Sequence, residues 1–185
     1  AAGSQLFNID STNNAITLGG NNSGEVQNWT TTNTISARQY HSSVTYNGYV
    51  YVIGGSSTNA GFTAQSTVYY AKVMADGSVD TWNSTTSLPA SRYIHSSVVA
   101  NGYVYVIGGT DGTAQSTVYY AKFSPDGTIG SWSATNSLPA VRIGHFSVVA
   151  NGYIYAIGGS NGTTTQSTVY YAKLNADGTT GTWQT

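Results

Sequence analysis

A repeat of about 50 residues is the feature that most constrains how this chain can fold. The segment Gln-Ser-Thr-Val-Tyr-Tyr-Ala-Lys occurs three times, at 65–72, 115–122 and 166–173. In each repeat an arginine and a histidine three residues apart precede this segment, and a tryptophan follows it. A fixed period of this length predicts one supersecondary unit per repeat, and each unit buries its apolar face only by stacking on its neighbours.

The middle repeat predicts four antiparallel strands joined in sequence order. Runs of apolar and β-branched residues at 95–100, 103–107, 116–123 and 130–134 are separated by turn sequences. Asn101-Gly102 and Asp126-Gly127 are hairpin turns of two residues, because both positions of each pair tolerate a positive φ. The chain has no segment with the 3.6-residue apolar period of a helix, so we expect an all-β fold.

The third strand of the middle repeat predicts how the sheets are covered. Side chains alternate along a strand, so Val118 and Tyr120 share one face, and Tyr119 and Ala121 share the other. Both faces carry apolar bulk. We therefore expect each sheet to be covered on both sides by the sheets of neighbouring repeats.

The order of these motifs resembles the kelch repeat. Its most specific elements here are the double glycine Gly108-Gly109, the tyrosines of the third strand and the closing Trp132. The resemblance covers 35–185 and implies β-propeller blades, with the first strand of each blade lining a central channel and the fourth strand outside. We expect a single domain with complete blades at 35–87, 88–137 and 138–185 and a partial blade at 1–34.

The first 34 residues depart from the pattern, and two interpretations remain open. In one, the segment 15–20 is the strand that ends in a double glycine. In the other, the segment 6–10 is a third strand, and Trp29 lies in a fourth.

Three complete blades are fewer than the six or seven that the kelch resemblance implies, so sheet faces and strand edges are expected to be exposed. Pairing with copies of this chain in a ring or fibre, covering by the remaining blades of a longer chain, and closure as an unusual ring of four blades are the alternatives. The first two are favoured.

Arginines and histidines that recur once per repeat are the candidate ligand-binding residues. In kelch propellers an arginine at the start of the first strand often lies at the mouth of the channel, and three of them would form a rim that binds carboxylates. The alternative is that each arginine bonds loop carbonyls between blades. The histidines form either a ring of imidazoles, which is a plausible zinc set, or neutral side chains bonded within their own blades. The residues are Arg38, Arg92, Arg142, His41, His95 and His145.

The composition narrows the classes of function. Only 7% of the residues are charged and the net charge is -1, with no basic run, so nucleic acid is not an expected partner. The absence of cysteine excludes disulfides, thiol nucleophiles and thiolate metal sites. No apolar run is long enough to span a membrane. We expect no metal and no cofactor. The content of Thr, Asn and Tyr favours a secreted protein, extracellular or at the cell surface.

These observations favour a non-enzymatic module that acts by self-association or by binding a partner at a surface, either a glycan or a protein. No constellation of reactive residues stands outside the repeat, so no catalytic residue is predicted. A carbohydrate-binding, lectin-like propeller is the first alternative, because tyrosine and tryptophan side chains can stack on sugar rings. An enzyme resembling a sialic-acid mutarotase is a further alternative that the kelch resemblance allows. Packing between blades is the expected role of Trp29, Trp82, Trp132 and Trp183.

Overall fold

The computed structural model describes residues 7–10, 15–18, 31–57 and 61–185. Within these residues the regular structure consists of strands, and no helix occurs. The expectation of an all-β fold is therefore confirmed for the part of the chain that is described. The chain divides into two compact units, Ala1–Thr31 and Thr32–Thr185.

The first unit contains one antiparallel pair of strands, β1 (Phe7–Asp10) and β2 (Ala15–Leu18). Phe7 lies opposite Leu18 in this pair. The double glycine at 19–20 and Trp29, on which the two interpretations of this region depend, lie outside the described residues.

The second unit contains three antiparallel sheets, each built from one repeat in sequence order. The first blade comprises β3 (Ser42–Tyr46), β4 (Tyr49–Ile53), β5 (Val68–Lys72) and β6 (Asn83–Thr85). The second blade comprises β7 (Ser96–Ala100), β8 (Tyr103–Ile107), β9 (Val118–Lys122) and β10 (Ser133–Thr135). The third blade comprises β11 (Phe146–Ala150), β12 (Tyr153–Ile157) and β13 (Val169–Lys173).

The fourth strand is shorter and later than the sequence predicted. Strand β10 begins at Ser133 instead of residue 130, because Gly130 still donates its backbone N–H to Lys122 as part of the preceding hairpin. In the third blade a single bridge between Tyr171 and Gln184 stands in the place of this strand. The blades are nevertheless the predicted antiparallel meanders, so the propeller-blade architecture is confirmed.

Apolar layers between the blades form the core of the second unit. The second blade packs against the third with one face, which we call the front face, and against the first with the opposite back face. The equivalent faces of the other two blades carry the same names. The front face of the second blade contributes Tyr105, Ile107 and Val118 to one layer, together with residues of the third blade such as Ile154 and Leu174. Tyr120 joins this layer, whereas Tyr119 and Ala121 belong to the layer shared with the first blade, as the alternation predicted.

The first strands of the three blades lie side by side, with β7 between β3 and β11. Each is the edge strand of its own sheet, and the fourth strand lies at the opposite edge in the first and second blades. Among the described residues, none forms a helix that is long and apolar enough to cross a membrane.

Candidate functional site

Arg92 and Arg142 are buried and engaged within their own blades. The guanidinium of Arg92 donates to Thr117 Oγ1 over 2.8 Å, forms an ion pair with Asp111 at 3.3 Å and lies 5.5 Å from the ring centroid of Tyr119. Arg142 likewise donates to the hydroxyl of Thr168. These contacts connect the segment before the first strand of each blade to the start of its third strand. The role of the two arginines is therefore structural.

Arg38 is less buried, but its guanidinium also contacts residues of its own blade. Its Nη1 donates to the carbonyl of Gly54 over 2.8 Å, and its guanidinium lies 4.6 Å from the centroid of the Tyr69 ring. The contacts of the three arginines thus favour bonding inside the blade. A rim that binds carboxylates stays a prediction.

His95 and His145 are buried, whereas His41 is exposed. Desolvation by burial lowers the pKa of His95 to about 3, with smaller contributions from the nearby His145 and Arg92. Burial, together with the charge of Arg142, lowers the pKa of His145 to about 4. Both imidazoles are therefore neutral at pH 7.

The hydrogen bond of His95 crosses between blades. Its Nε2 lies 2.7 Å from Ser42 Oγ of the first blade, so the expectation of a bond within its own blade is wrong at this position. The reason is that the ring leans over the end of the preceding blade, against Gly54. No three His, Asp or Glu side chains of the described residues come together as a metal site.

The first glycine of each double glycine marks a close approach between blades. Gly108 has a φ of +56°, and a Cβ added there would lie 2.5 Å from the carbonyl oxygen of Arg142. At Gly54 the corresponding distance, to the carbonyl oxygen of Arg92, is 2.4 Å. Gly158 has the same backbone conformation, but its nearest neighbour would be 3.4 Å away. At this third position the nearest atom is the carbonyl oxygen of Gln166, in the same blade.

Three of the four tryptophans connect neighbouring repeats, as predicted, and Trp29 lies outside the described residues. Trp132 donates its Nε1 proton to the carbonyl of Thr86 in the first blade over 2.9 Å, and Trp183 donates to Asn136 over 2.8 Å. Trp82 makes the same bond to the carbonyl of Asn33 over 2.9 Å. Their role is packing and hydrogen bonding between repeats.

A shallow groove of about 440 Å³ runs across the first strands of the three blades. Its lining is apolar apart from one threonine and carries no charged side chain, so it has few side-chain groups that could orient a polar ligand. The lining residues are Val44, Thr45, Val98, Val99, Val148 and Val149.

The front face of the third blade is the largest departure from the internal symmetry. Ile157 and Val169 are each 41% exposed, whereas the equivalent Ile107 and Val118 of the second blade are 0% exposed. Phe146 at the start of β11 is 79% exposed. An apolar sheet face of this kind, covered in two blades and open in the third, is the typical signature of a protein-binding surface.

A tyrosine on each front face distinguishes the third blade from the other two. Tyr51 donates its hydroxyl proton to the carbonyl of Gly127 over 2.8 Å, and Tyr105 donates to Gly178 over 2.9 Å, in each case across the junction to the next blade. Tyr155 occupies the equivalent position and has no such acceptor among the described residues. The sequence predicted exposed sheet faces in general. The sequence signal that could have identified this face is Phe146, which replaces the serine of the other two repeats.

Comparisons with known proteins agree with this architecture. The model of the KLHDC2/KLHL20/DRC7 Kelch-repeats domain matches residues 40–185. Beta-scruin of Limulus polyphemus is 33% identical over 78 residues, which is 42% of this chain and 8% of that protein. A solved structure, "Structure of YjhT", superposes with a TM-score of 0.52 at 24% identity, over 66% of this chain and 34% of the other, which is a likeness of fold alone. The chain spans a small part of both proteins, and the match to the domain model shows that it belongs to the kelch-repeat family.

Proposed function

We propose that this chain is a non-enzymatic kelch propeller module, extracellular or at the cell surface, that acts by self-association through the front face of its third blade. The observation that carries the proposal is the exposure of Ile157 and Val169, whose counterparts in the other blades are fully buried. Burying an aliphatic side chain of this size contributes about 1.5–3 kcal/mol. A partner that covers this face therefore gains much of the energy that joins the blades to one another.

A non-enzymatic role is supported by the state of the residues that an enzyme would use. Arg92 and Arg142 are buried against the third strands of their own blades. His95 and His145 are buried with a pKa of about 3 and about 4, which is far from the range of an efficient general base at neutral pH. Low charge and abundant hydroxyl and amide side chains support a location outside the cell, which detection of the chain in the medium or at the surface of its source cells tests.

Self-association is tested by measuring the mass of the chain against its concentration, by sedimentation equilibrium or light scattering. We expect the mass to rise above the 19.4 kDa of a single chain as the concentration increases. A mass that stays at this value up to the highest accessible concentration would refute the proposal.

Carbohydrate binding is a second candidate, because three aromatic rings cluster on the loops of the first two blades. The ring centroids of Tyr40 and Phe62 are 5.6 Å apart, and those of Phe62 and Tyr93 are 5.8 Å apart with nearly parallel planes. Tyr40 and Phe62 are exposed, so their faces are accessible to a sugar ring. A glycan array tests this candidate: binding that is lost in Tyr40→Ala would support it, and an array without a signal would remove it.

A further inference from the structure

We infer that the front face of the third blade docks onto the back face of the first blade of a second copy, head to tail, and so repeats the junction that occurs twice inside the chain. The inference rests on the proposed self-association and names its partner surface. Its physical basis is that the two ends of the second unit are the two halves of one kind of interface.

The receiving half is the back face of the first blade. Val73 is 41% exposed and the adjacent Met74 is 45% exposed, whereas the equivalents of Val73 in the other blades, Phe123 and Leu174, are both 7% exposed and lie against the preceding blade. Val73 thus marks the open end of this back face, whereas Val52 and Ala71 on the same face are already buried, at 6% and 1% exposure.

The receiving face already carries the polar contacts of a junction. Between the first and second blades, Thr85 accepts the backbone N–H of Ile129 over 2.8 Å. On the receiving face, Thr32 accepts the backbone N–H of Val79 over 3.0 Å in the same way.

The repeat then predicts the contacts of the new junction. The hydroxyl of Tyr155 meets the carbonyl of Gly77 of the second copy, because Gly77 is equivalent to the two acceptors Gly127 and Gly178. Gly158 lies under the carbonyl of Arg38 of the second copy, as Gly54 and Gly108 lie under the next arginine. The bond between Ser42 and His95 at the first internal junction has no counterpart here, since Phe146 replaces the serine. It is also absent at the second internal junction, where His145 Nε2 has no hydrogen-bond partner.

A front-to-back interface uses two different surfaces of the same chain. It therefore closes into a ring or continues as an open polymer, whereas a front-to-front contact would stop at a symmetric dimer. Damaging the front and back faces separately therefore distinguishes the two arrangements, whether or not the assembly closes into a ring.

The test compares Ile157→Asp, which damages the front face, with Val73→Asp, which damages the back face, both in the full chain. Both positions are exposed, so each variant should fold, and the thermal unfolding of dilute samples checks this. Ile157→Val is the matched control that keeps the face apolar. We expect each aspartate variant alone to be monomeric and an equimolar mixture of the two to form a heterodimer, because each supplies the face that the other lacks.

The outcomes separate the inference from the proposed function. A monomeric wild-type chain would refute both. A wild-type assembly that Val73→Asp leaves intact but Ile157→Asp abolishes would keep self-association and overturn the head-to-tail pairing. If Trp29→Ala then abolished that assembly, residues 1–31 of the second copy would be the occupant. A mixture of the aspartate variants that stays monomeric would also overturn the inference.

Discussion

Replacing Ile107 with alanine should destabilise this chain far more than the same replacement of Ile157. The two residues end the second strands of neighbouring blades and follow the same sequence, Tyr-any-Tyr-any-Ile. Ile107 is 0% exposed inside the layer between the second and third blades, whereas Ile157 is 41% exposed on the open front face. The pair therefore isolates the effect of the neighbouring blade from that of the local sequence.

The expected magnitudes follow from this burial. Truncation of Ile107 removes buried methyl and methylene groups and leaves a cavity, which costs about 3 kcal/mol. At Ile157 solvent already reaches the side chain and no closed cavity forms, so the expected cost is about 1 kcal/mol. The difference of about 2 kcal/mol corresponds to roughly 4–8 °C in Tm for a domain of this size.

The assay is equilibrium unfolding in denaturant, followed by circular dichroism, at a concentration where the chain is monomeric. Equal costs for Ile107→Ala and Ile157→Ala under these conditions would refute the reasoning, because they would mean that the front face is covered within the chain. At higher concentration the cost of Ile157→Ala should rise toward that of Ile107→Ala, since a docked copy covers the same side chain.

Three further predictions concern the junctions between blades. The pKa of His95 and of His145 lies below the 6.5 of an exposed histidine, so the unfolded chain takes up protons first and the free energy of unfolding should fall below pH 6.5, by up to about 1.4 kcal/mol per pH unit for each histidine. Denaturant titrations at pH 7.5 and pH 5 measure this, and a slope that persists when both histidines are changed to glutamine would contradict it. Gly108→Ala should destabilise the monomer more than Gly158→Ala, because only the former forces a Cβ to within 2.5 Å of a carbonyl oxygen; similar shifts in Tm would count against the close approach. Tyr105→Phe should cost about 1 kcal/mol by leaving a buried carbonyl without its donor, and a chain as stable as the wild type would show that this bond does not contribute.

Strands and turns followed from the sequence because the interactions that form them are local. Asn101 and Gly102 adopt φ values of +51° and +79°, as a two-residue hairpin requires. Strand β8 has the predicted bounds, and the carboxylate of Asp126 accepts the backbone N–H of Thr128, two residues away. Each of these features depends on side chains within a few positions of one another.

The candidate residues could be chosen from the sequence, but their partners could not. Arg92 and His95 were recognisable by their recurrence in every repeat. Their contacts come from Thr117 and Ser42, which are 25 and 53 positions away. Only the pairing of strands and the stacking of blades brings these atoms together.

The sequence alone determined the blade, and the tertiary structure decided what each copy of the blade does. Residues 103–107 and 153–157 follow the same pattern, so no local rule distinguishes Ile107 from Ile157. Stacking distinguishes them, because side chains of the third blade cover Ile107, whereas Ile157 is 41% exposed. Burial is a property of the neighbours of a residue in space, and this is why the same sequence pattern is a core in one blade and an exposed face in the next.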